Sequence, residues 1–363
     1  MPIRKKDHII SLANDIFIDY PSPLNISNWW NFGSFLGIFI VFQVLTGLFL
    51  SIHYIARTDL AFDSVVSILH NVNSGWMFRS LHATGASFLF IFIYLHVIRG
   101  IYYQSFKFAP KAWISGIVLF LLTILTAFLG YVLPWGQIRF WAATVITNII
   151  SAVPFFGADI VQWIWGGFAV SEATLTRFYS FHFIFPFIIL ALILAHIIIL
   201  HETGSNNPIN ISSSKNKIPF SHYFVYKDLF RFLLIIIFFC LSFLFFPIVF
   251  NEPENFIAAN PLSTPAHIKP EWYFLWAYAI LRAIPSKLGG VIAILIAIVV
   301  FLFFPLKASS KNLPLHNKIF FVWIASLLIL SWIGGCPVEW PYDFLRKAAC
   351  IIYFLLVGLL FII

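Results

Sequence analysis

The stretch SGWMFRSLHATGASFLFIFIYLHVIRGIYY, Ser74 to Tyr103, reads as an apolar helix that carries His82 and His96 and is bracketed by Arg79 and Arg99. Fourteen residues at ~3.6 per turn is nearly four whole turns, so both imidazoles leave one face, roughly 21 Å apart along the axis. A second stretch, TLTRFYSFHFIFPFIILALILAHIIILH from Thr174 to His201, repeats the interval with His182 and His196. Laid side by side in parallel, the two helices oppose His82 to His182 and His96 to His196, a frame for two stacked six-coordinate haems. A single His in an apolar helix is commonly a hydrogen-bonded interior residue, although ionisable groups inside a membrane lean towards function. The matched interval is what points to metal. Zinc fits less well, because its helical His pairs sit about four residues apart, whereas haem iron takes axial His.

Glycines give a second, independent count. Gly33 and Gly47 lie in one apolar stretch and Gly116 and Gly130 in another, each pair again fourteen apart. Close helix contact is the usual role of a membrane glycine. Two pairs that match the histidine interval suggest bare backbone beside a flat macrocycle at the same two depths.

Of the 363 residues, 61% are hydrophobic and 10% charged, far from the soluble balance of about half apolar and a quarter charged. The chain reads as an all-α membrane protein. Apolar runs long enough to cross a bilayer, ~20 residues for ~30 Å, fall near 31–53, 76–103, 112–133, 174–201, 229–249, 288–306, 318–335 and 346–363. The first four form a di-haem bundle within 1–210, and 211–363 forms a second membrane domain. No cleavable signal peptide is expected. Most of the 22 Lys and Arg lie in the segments on the N-terminal side of the membrane, which by the positive-inside rule sets both termini on the inner face. The +8 charge is therefore a topology signal and a contact with anionic membrane lipid, and no basic strip with a nucleic-acid motif accompanies it. Cys240, Cys336 and Cys350 form no C-x-x-C, so any haem is non-covalent and no iron-sulfur centre is expected.

Two connections on the opposite side are too long to be turns. Pro134 to Ala173 contains an amphipathic helix, Ile138 to Ala152, suited to lying in the interface. Pro247 to Lys287 is stiffened by Pro253, Pro261, Pro265 and Pro270 and then runs Glu271-Trp272-Tyr273-Phe274. A carboxylate beside aromatics at membrane level suits a proton acceptor, and a solvated loop acid is the alternative. On the inner face, His201 and Ser205 end the fourth span while Lys227 and Asp228 open the fifth. They read either as proton-carrying groups or as helix caps that complement the dipole.

Taken together, the two histidine pairs, the four glycines, Pro134-Trp135-Gly136-Gln137, Pro270-Glu271-Trp272-Tyr273, and Gly334-Gly335 before Pro337-Val338-Glu339 resemble the cytochrome b family over essentially the whole chain. The single chain with eight spans is similar to the respiratory, mitochondrial form found in quinol:cytochrome c oxidoreductase, the cytochrome bc1 complex. The plastid form is split in two and has a later histidine interval one residue longer. The resemblance implies two b-type haems, an outer low-potential one on His82 and His182 and an inner high-potential one on His96 and His196. It implies quinol oxidation near Glu271, Tyr273 and Tyr131, with Ala142 in the same pocket, and quinone reduction near His201, Ser205, Lys227 and Asp228. It also implies Arg79, Arg99 and Trp113 as propionate partners, although an interfacial belt of Arg and Trp would look the same. Ubiquinol and ubiquinone, a Rieske iron-sulfur protein and cytochrome c1 are the implied partners, in an obligate dimer of the mitochondrial inner membrane that couples electron flow to proton translocation through a Q cycle. An electron carried across the membrane towards the negative side works against ~2.3 kcal/mol per 100 mV, so the inner haem has to be the better acceptor.

A transporter whose buried His, Arg and Glu line a pathway is a competing reading, without visible inverted repeats or paired broken helices. A haem anchor for another dehydrogenase is a third, and it has no use for the Pro270 to Phe274 loop. Three positions depart from the family: Ala142 where Gly is usual, Arg139 where a small uncharged residue is usual, and Cys336 in place of a polar amide. Arg139 is expected to snorkel from an interfacial helix; nothing accounts for Cys336. The extra methyl of Ala142 should hinder flat, rigid inhibitors more than flexible quinol. Ala142→Gly is therefore expected to increase sensitivity to methoxyacrylate-type inhibitors in an inhibition titration, and unchanged sensitivity would refute the idea.

Overall fold

Backbone N–H and C=O groups surrounded by hydrocarbon have to be satisfied within their own segment, so long apolar runs fold as helices. In the computed structural model, which describes residues 6–7, 10–11, 14–15, 18–210, 215–247, 249–250, 252–306 and 313–363, they do. In chain order the helices are α1 (Phe32–Ser51), α2 (Ala61–His70), α3 (Gly75–Tyr102), α4 (Ser105–Phe108), α5 (Pro110–Val132), α6 (Gln137–Asn148), α7 (Gly157–Trp165) and α8 (Glu172–Thr203). The later ones are α9 (Phe220–Phe245), α10 (Leu275–Ala283), α11 (Lys287–Val299), α12 (Leu313–Gly334) and α13 (Tyr342–Ile362). Strands β1 (Pro21–Pro23) and β2 (Lys217–Pro219) pair antiparallel, with Ser22 opposite Ile218. Eight helices among the described residues are long and apolar enough to cross a membrane: α1, α3, α5, α8, α9, α11 with its 3-10 extension to Leu306, α12 and α13. The basic residues Arg4 and Lys5 and the 307–312 connection lie outside the described residues.

Two boundaries differ from the sequence reading. The fifth span begins just past a kink at Ser221, whose backbone is extended, rather than near 229, because the aromatic and polar run from His222 to Tyr226 is already coiled. Lys227 and Asp228 consequently sit more than one turn inside α9 instead of opening it. The outer connection holds α7 as a second short helix beyond α6, whose apolar side packs against the following 3-10 turn Ile149–Ala152.

α1 packs along α3 and α5 along α8, α1 also meets α8, and α9 leans on α3. α10 is enclosed by α11, α12 and α13. One apolar core joins the halves: Phe90 of α3 belongs with Tyr273, Trp276 of α10, Phe301, Trp323 of α12 and Tyr353 of α13. Tyr353 donates to the Ala297 carbonyl at 3.1 Å and so pins α13 to α11 with its hydroxyl satisfied. Gly334 shows why its motif carries glycine, since a Cβ there would overlap the Leu275 carbonyl at the start of α10. α8 leaves Phe187, Leu194 and Ile198 pointing outward, as a span bordering lipid or another subunit does.

Gly334→Ala is expected to push α12 off α10 and to cost about 1–3 kcal/mol, the usual range for overpacking. A clear drop in the thermal midpoint of the detergent-solubilised protein would show it, and an unchanged midpoint would contradict it.

Candidate functional site

The rings of His82 on α3 and His182 on α8 face each other with centroids 6.2 Å apart and planes at 89°. Metal–imidazole bonds of about 2 Å on either side of one ion put ring centroids roughly 6 Å apart, so this gap has the width of a six-coordinate iron site. The tautomers follow from the neighbours. The Thr46 hydroxyl donates to the Phe42 carbonyl at 2.6 Å, so at 2.9 Å it accepts from His82 Nδ1. Ser115 donates to the Ala112 carbonyl at 2.9 Å and accepts from His196 Nδ1 at 2.8 Å. His182 Nδ1 lies 2.8 Å from the Thr126 carbonyl, which can only accept. Three imidazoles thus hold their proton on Nδ1 and leave the Nε2 lone pair free, the arrangement of a metal-bound His with an outer hydrogen bond. His96 Nδ1 is buried without such a partner.

Among the described residues no three His, Cys, Asp or Glu side chains gather to hold a metal. His82 and His182 stand opposed as a pair of imidazole donors, the axial set that a haem takes. That donor set and the spacing fit haem.

The four glycines serve these same rings. Added Cβ atoms at Gly33 and Gly47 of α1 would lie 3.3 Å from His96 Cε1 and 3.1 Å from His82 Cε1. One at Gly116 of α5 would lie 3.3 Å from His196 Cε1, and one at Gly130 would overlap the His182 ring. The sequence suggested bare backbone beside a macrocycle; what each glycine meets directly is an imidazole edge. Pro186, one turn after His182, lacks the N–H that would bond the His182 carbonyl, and it lines the same cleft.

Arg99 stands over Trp30 at 5.2 Å with its Nε buried and unpartnered, a fit for a propionate near the His96 level. Trp113 differs from expectation: its indole N–H is committed to the Phe301 carbonyl at 2.6 Å, and its ring covers Gly100. It forms a wall there rather than a free donor.

Around His82 and His182 opens a cleft lined mostly by apolar side chains. Arg79, Gly47, Gly130, Tyr131, Arg139, Glu271 and Tyr273 line it, so three of the expected quinol residues, Glu271, Tyr273 and Tyr131, share one space with His82 and His182, whereas Ala142 is not part of that lining. Burial drives the Glu271 carboxyl up to about 7; Arg139 and Arg79 oppose the rise and Glu252 adds to it. The turn that bears Glu271 is fixed on both sides. Tyr273 stacks on Phe90 with centroids 4.1 Å apart and planes at 2°, and its carbonyl accepts from the Tyr94 hydroxyl. Trp272 Nε1 donates to Ser87 Oγ at 3.1 Å. The roof of the cleft is laced by main chain: Gln137 N donates to the Ile257 carbonyl at 3.0 Å and Ala259 N to the Trp135 carbonyl at 3.0 Å. The Gln137 amide meanwhile accepts from Asn260 N and donates to the Ser263 carbonyl, both at 2.6 Å. Gly136 is needed because a Cβ would fall 2.9 Å from the Asn255 carbonyl. Ala142 is buried on α6. Arg139 does not snorkel: this lacing turns its face of α6 inward, where the guanidinium is buried 5.0 Å above the Tyr131 ring.

On the opposite face, residues 20–31 gather the expected groups. His201 stacks on Tyr20 with centroids 3.9 Å apart, and Lys227 Nζ reaches the Ile26 carbonyl at 3.4 Å. Asp228 accepts from Asn31 Nδ2 and lies 3.9 Å from Arg231, whose guanidinium also donates to Asn28 and Asn31. Asp228 therefore neither caps α9 nor stands free. Ser205 follows Gly204, which adopts φ +81° close to Tyr20 and Lys217. Tyr20 and Asn31 are participants that the sequence reading missed: Tyr20 stands outside every apolar run and motif, and Asn31 was read only as the first residue of the first span.

With this geometry in hand, comparison with known proteins adds two findings. Residues 17–204 match the family model described as cytochrome b/b6/petB, and residues 258–354 match that of cytochrome b (C-terminal)/b6/petD. Among solved structures, a chain of a hyperthermophilic respiratory Complex III is similar at 33% identity with a TM-score of 0.92, covering 99% of this chain and 96% of its own.

Gly130→Ala is expected to displace the His182 ring and leave one haem per chain in a pyridine haemochrome assay, whereas Gly116→Ala, with 3.3 Å available, should keep two. Equal haem content in both variants would contradict the assigned roles.

Proposed function

This chain belongs to the cytochrome b/b6 family, and from that premise we propose that it is the di-haem electron-transfer subunit of a respiratory complex, oxidising quinol at the outer cleft and reducing quinone at the inner face. The observation that carries the reading is the opposition of His82 and His182, with ring centroids 6.2 Å apart, together with three imidazoles whose Nδ1 is hydrogen-bonded so that Nε2 is left for a metal. His82 with His182 would hold an outer b-type haem and His96 with His196 an inner one. When bound, the haems supply one-electron transfer across the membrane. The overall likeness to a Complex III chain supports membership of a quinol:cytochrome c oxidoreductase. A Rieske iron-sulfur protein, cytochrome c1 and a second copy of the complex are the partners assigned on that basis. We assign the mitochondrial inner membrane, with both termini in the matrix, and two units divided near 210.

The residues divide the work. Glu271 is half ionised near neutral pH and can take a quinol proton within the cleft. Tyr273 holds the turn that aims it, and Tyr131 forms the facing wall. Arg79 and Arg99 supply positive charge for propionates at the two levels. On the inner face His201, held by Tyr20, and Asp228, held by Asn31 and Arg231, surround the place where Ser205 and Lys227 would meet a quinone. Proton uptake there and release at Glu271 would couple the chemistry to translocation.

A base accepts a proton only when ionised. kcat/KM for quinol oxidation is therefore expected to fall on the acid side of a limb near pH 7 in the native complex. Glu271→Gln should lose about 10²-fold in rate and lose that limb, with both haem bands retained in a reduced-minus-oxidised spectrum. A purified chain without a haem spectrum would overturn the reading, and full quinol oxidation in Glu271→Gln would overturn the outer site.

A further inference from the structure

Arg139 is the one charged group in the outer cleft to which the chemistry above gives no task. It projects from α6, is buried, and stacks its guanidinium 5.0 Å over the Tyr131 ring. Its Nε is buried with no hydrogen-bond partner among the described residues, although the side chain lines the same space as Glu271, Tyr273, Tyr131 and Arg79. An unmet donor on a buried cation is costly until an acceptor arrives. A guanidinium is planar and stays charged, and stacking on an aromatic face limits the directions its N–H groups can take. The cleft that Arg139 lines is the open side from which an acceptor can reach it.

We infer that Arg139 is a binding and positioning residue of the outer site: its Nε–H donates to an oxygen of the quinol, and its charge acts on Glu271 across the cleft. The inference rests on the outer quinol site proposed above. In it the quinol is held between a donor on α6 and a proton acceptor on the 270–274 turn, so one ring oxygen is gripped while the molecule presents a hydroxyl to the carboxylate. The charged and titratable groups around Glu271 are Arg139 from α6, Arg79 from α3, Tyr131 from α5, Glu252 from the outer connection and Tyr273 from its own turn. Glu252 is itself tied to Lys269 at 3.0 Å. After burial, Arg139 is the largest influence on Glu271 and favours its ionised form, so removing the charge makes the carboxylate harder to ionise.

The test uses the purified complex with a short-chain ubiquinol as substrate and cytochrome c as acceptor, comparing variants of equal haem content. Arg139→Gln is expected to raise KM about tenfold, as the loss of a charge-assisted hydrogen bond does, with a smaller effect on kcat. Its acid limb should move to higher pH by about one unit, the low end of what loss of a nearby opposite charge does. Arg139→Lys keeps the charge but not the Nε–H, so the limb should return towards the wild-type position while KM stays raised. In the Glu271→Gln background the charge change should have no limb left to move, while KM still rises. If the wild type oxidises quinol with its Glu271-dependent limb and Arg139→Gln alters neither KM nor the limb, the inference is overturned and the outer site stands. If the wild type shows no quinol oxidation, the outer site falls and the inference with it. Should Arg139→Gln fail to assemble, Arg139→Lys decides: a raised KM with the limb in place supports the role, and an unchanged KM overturns it.

Discussion

An imidazole surrounded by hydrocarbon needs something for each of its two nitrogens, and the first half of this chain is built to meet that need. Thr46, Ser115 and the Thr126 carbonyl accept a hydrogen bond from the Nδ1–H of three rings and thereby fix the side from which Nε2 looks out. The hydroxyls can do so because each hands its own proton to a backbone carbonyl of its own helix, which makes an ambiguous rotor an acceptor. Glycine completes the arrangement. The imidazoles on α3 lie against bare backbone on α1, and those on α8 against bare backbone on α5, so the two helix pairs are both packing units and ring holders. A change at Gly47 thus reaches the far side of the cleft through His82, without touching any group that enters it.

What could be read before the fold was known follows from which forces are local. The eight spans were legible because hydropathy alone drives them, and the fourteen-residue interval because helix geometry converts spacing into direction. The start of α9 was not, since Phe220 to Tyr226 mixes aromatic and polar residues and the coil there is settled by β2 and by the backbone bonds of Phe220 and Ser221 to Tyr20 and Ile18. Nor was the direction of Arg139. Which face of α6 turns inward depends on its anchoring through Gly136 and Gln137 to residues more than a hundred positions later, and no periodicity carries that information. Trp113 illustrates a related loss: an indole at membrane level was foreseen, but not the Phe301 carbonyl that takes its N–H. Tyr20 and Asn31 went unread because a stacked ring and an amide at the head of a span have no one-dimensional signature.

The two faces solve opposite electrostatic problems. At the inner face Asp228, Arg231, Asn31 and Asn28 are bonded to one another, a closed set that keeps its charges compensated whether or not a ligand is present. At the outer face Glu271, Arg79 and Arg139 share a cleft without a direct ion pair among them, held apart by the stacked Tyr273 and Phe90 and by the Arg139–Tyr131 stack. Compensated charges hold a shape; separated ones hold a field. The second arrangement is found on the face where burial raises the Glu271 carboxyl to about 7.

The lacing between 134–141 and 255–263 has an evolutionary side. Its principal bonds run between main-chain groups or from the Gln137 amide to main chain, so the ceiling they set is indifferent to most side chains of the later segment. That segment can drift in composition, and with it the outward texture offered to neighbouring molecules, while the height of the chamber beneath stays the same. One amide thereby separates the heritable shape of the room from the changeable face of its lid.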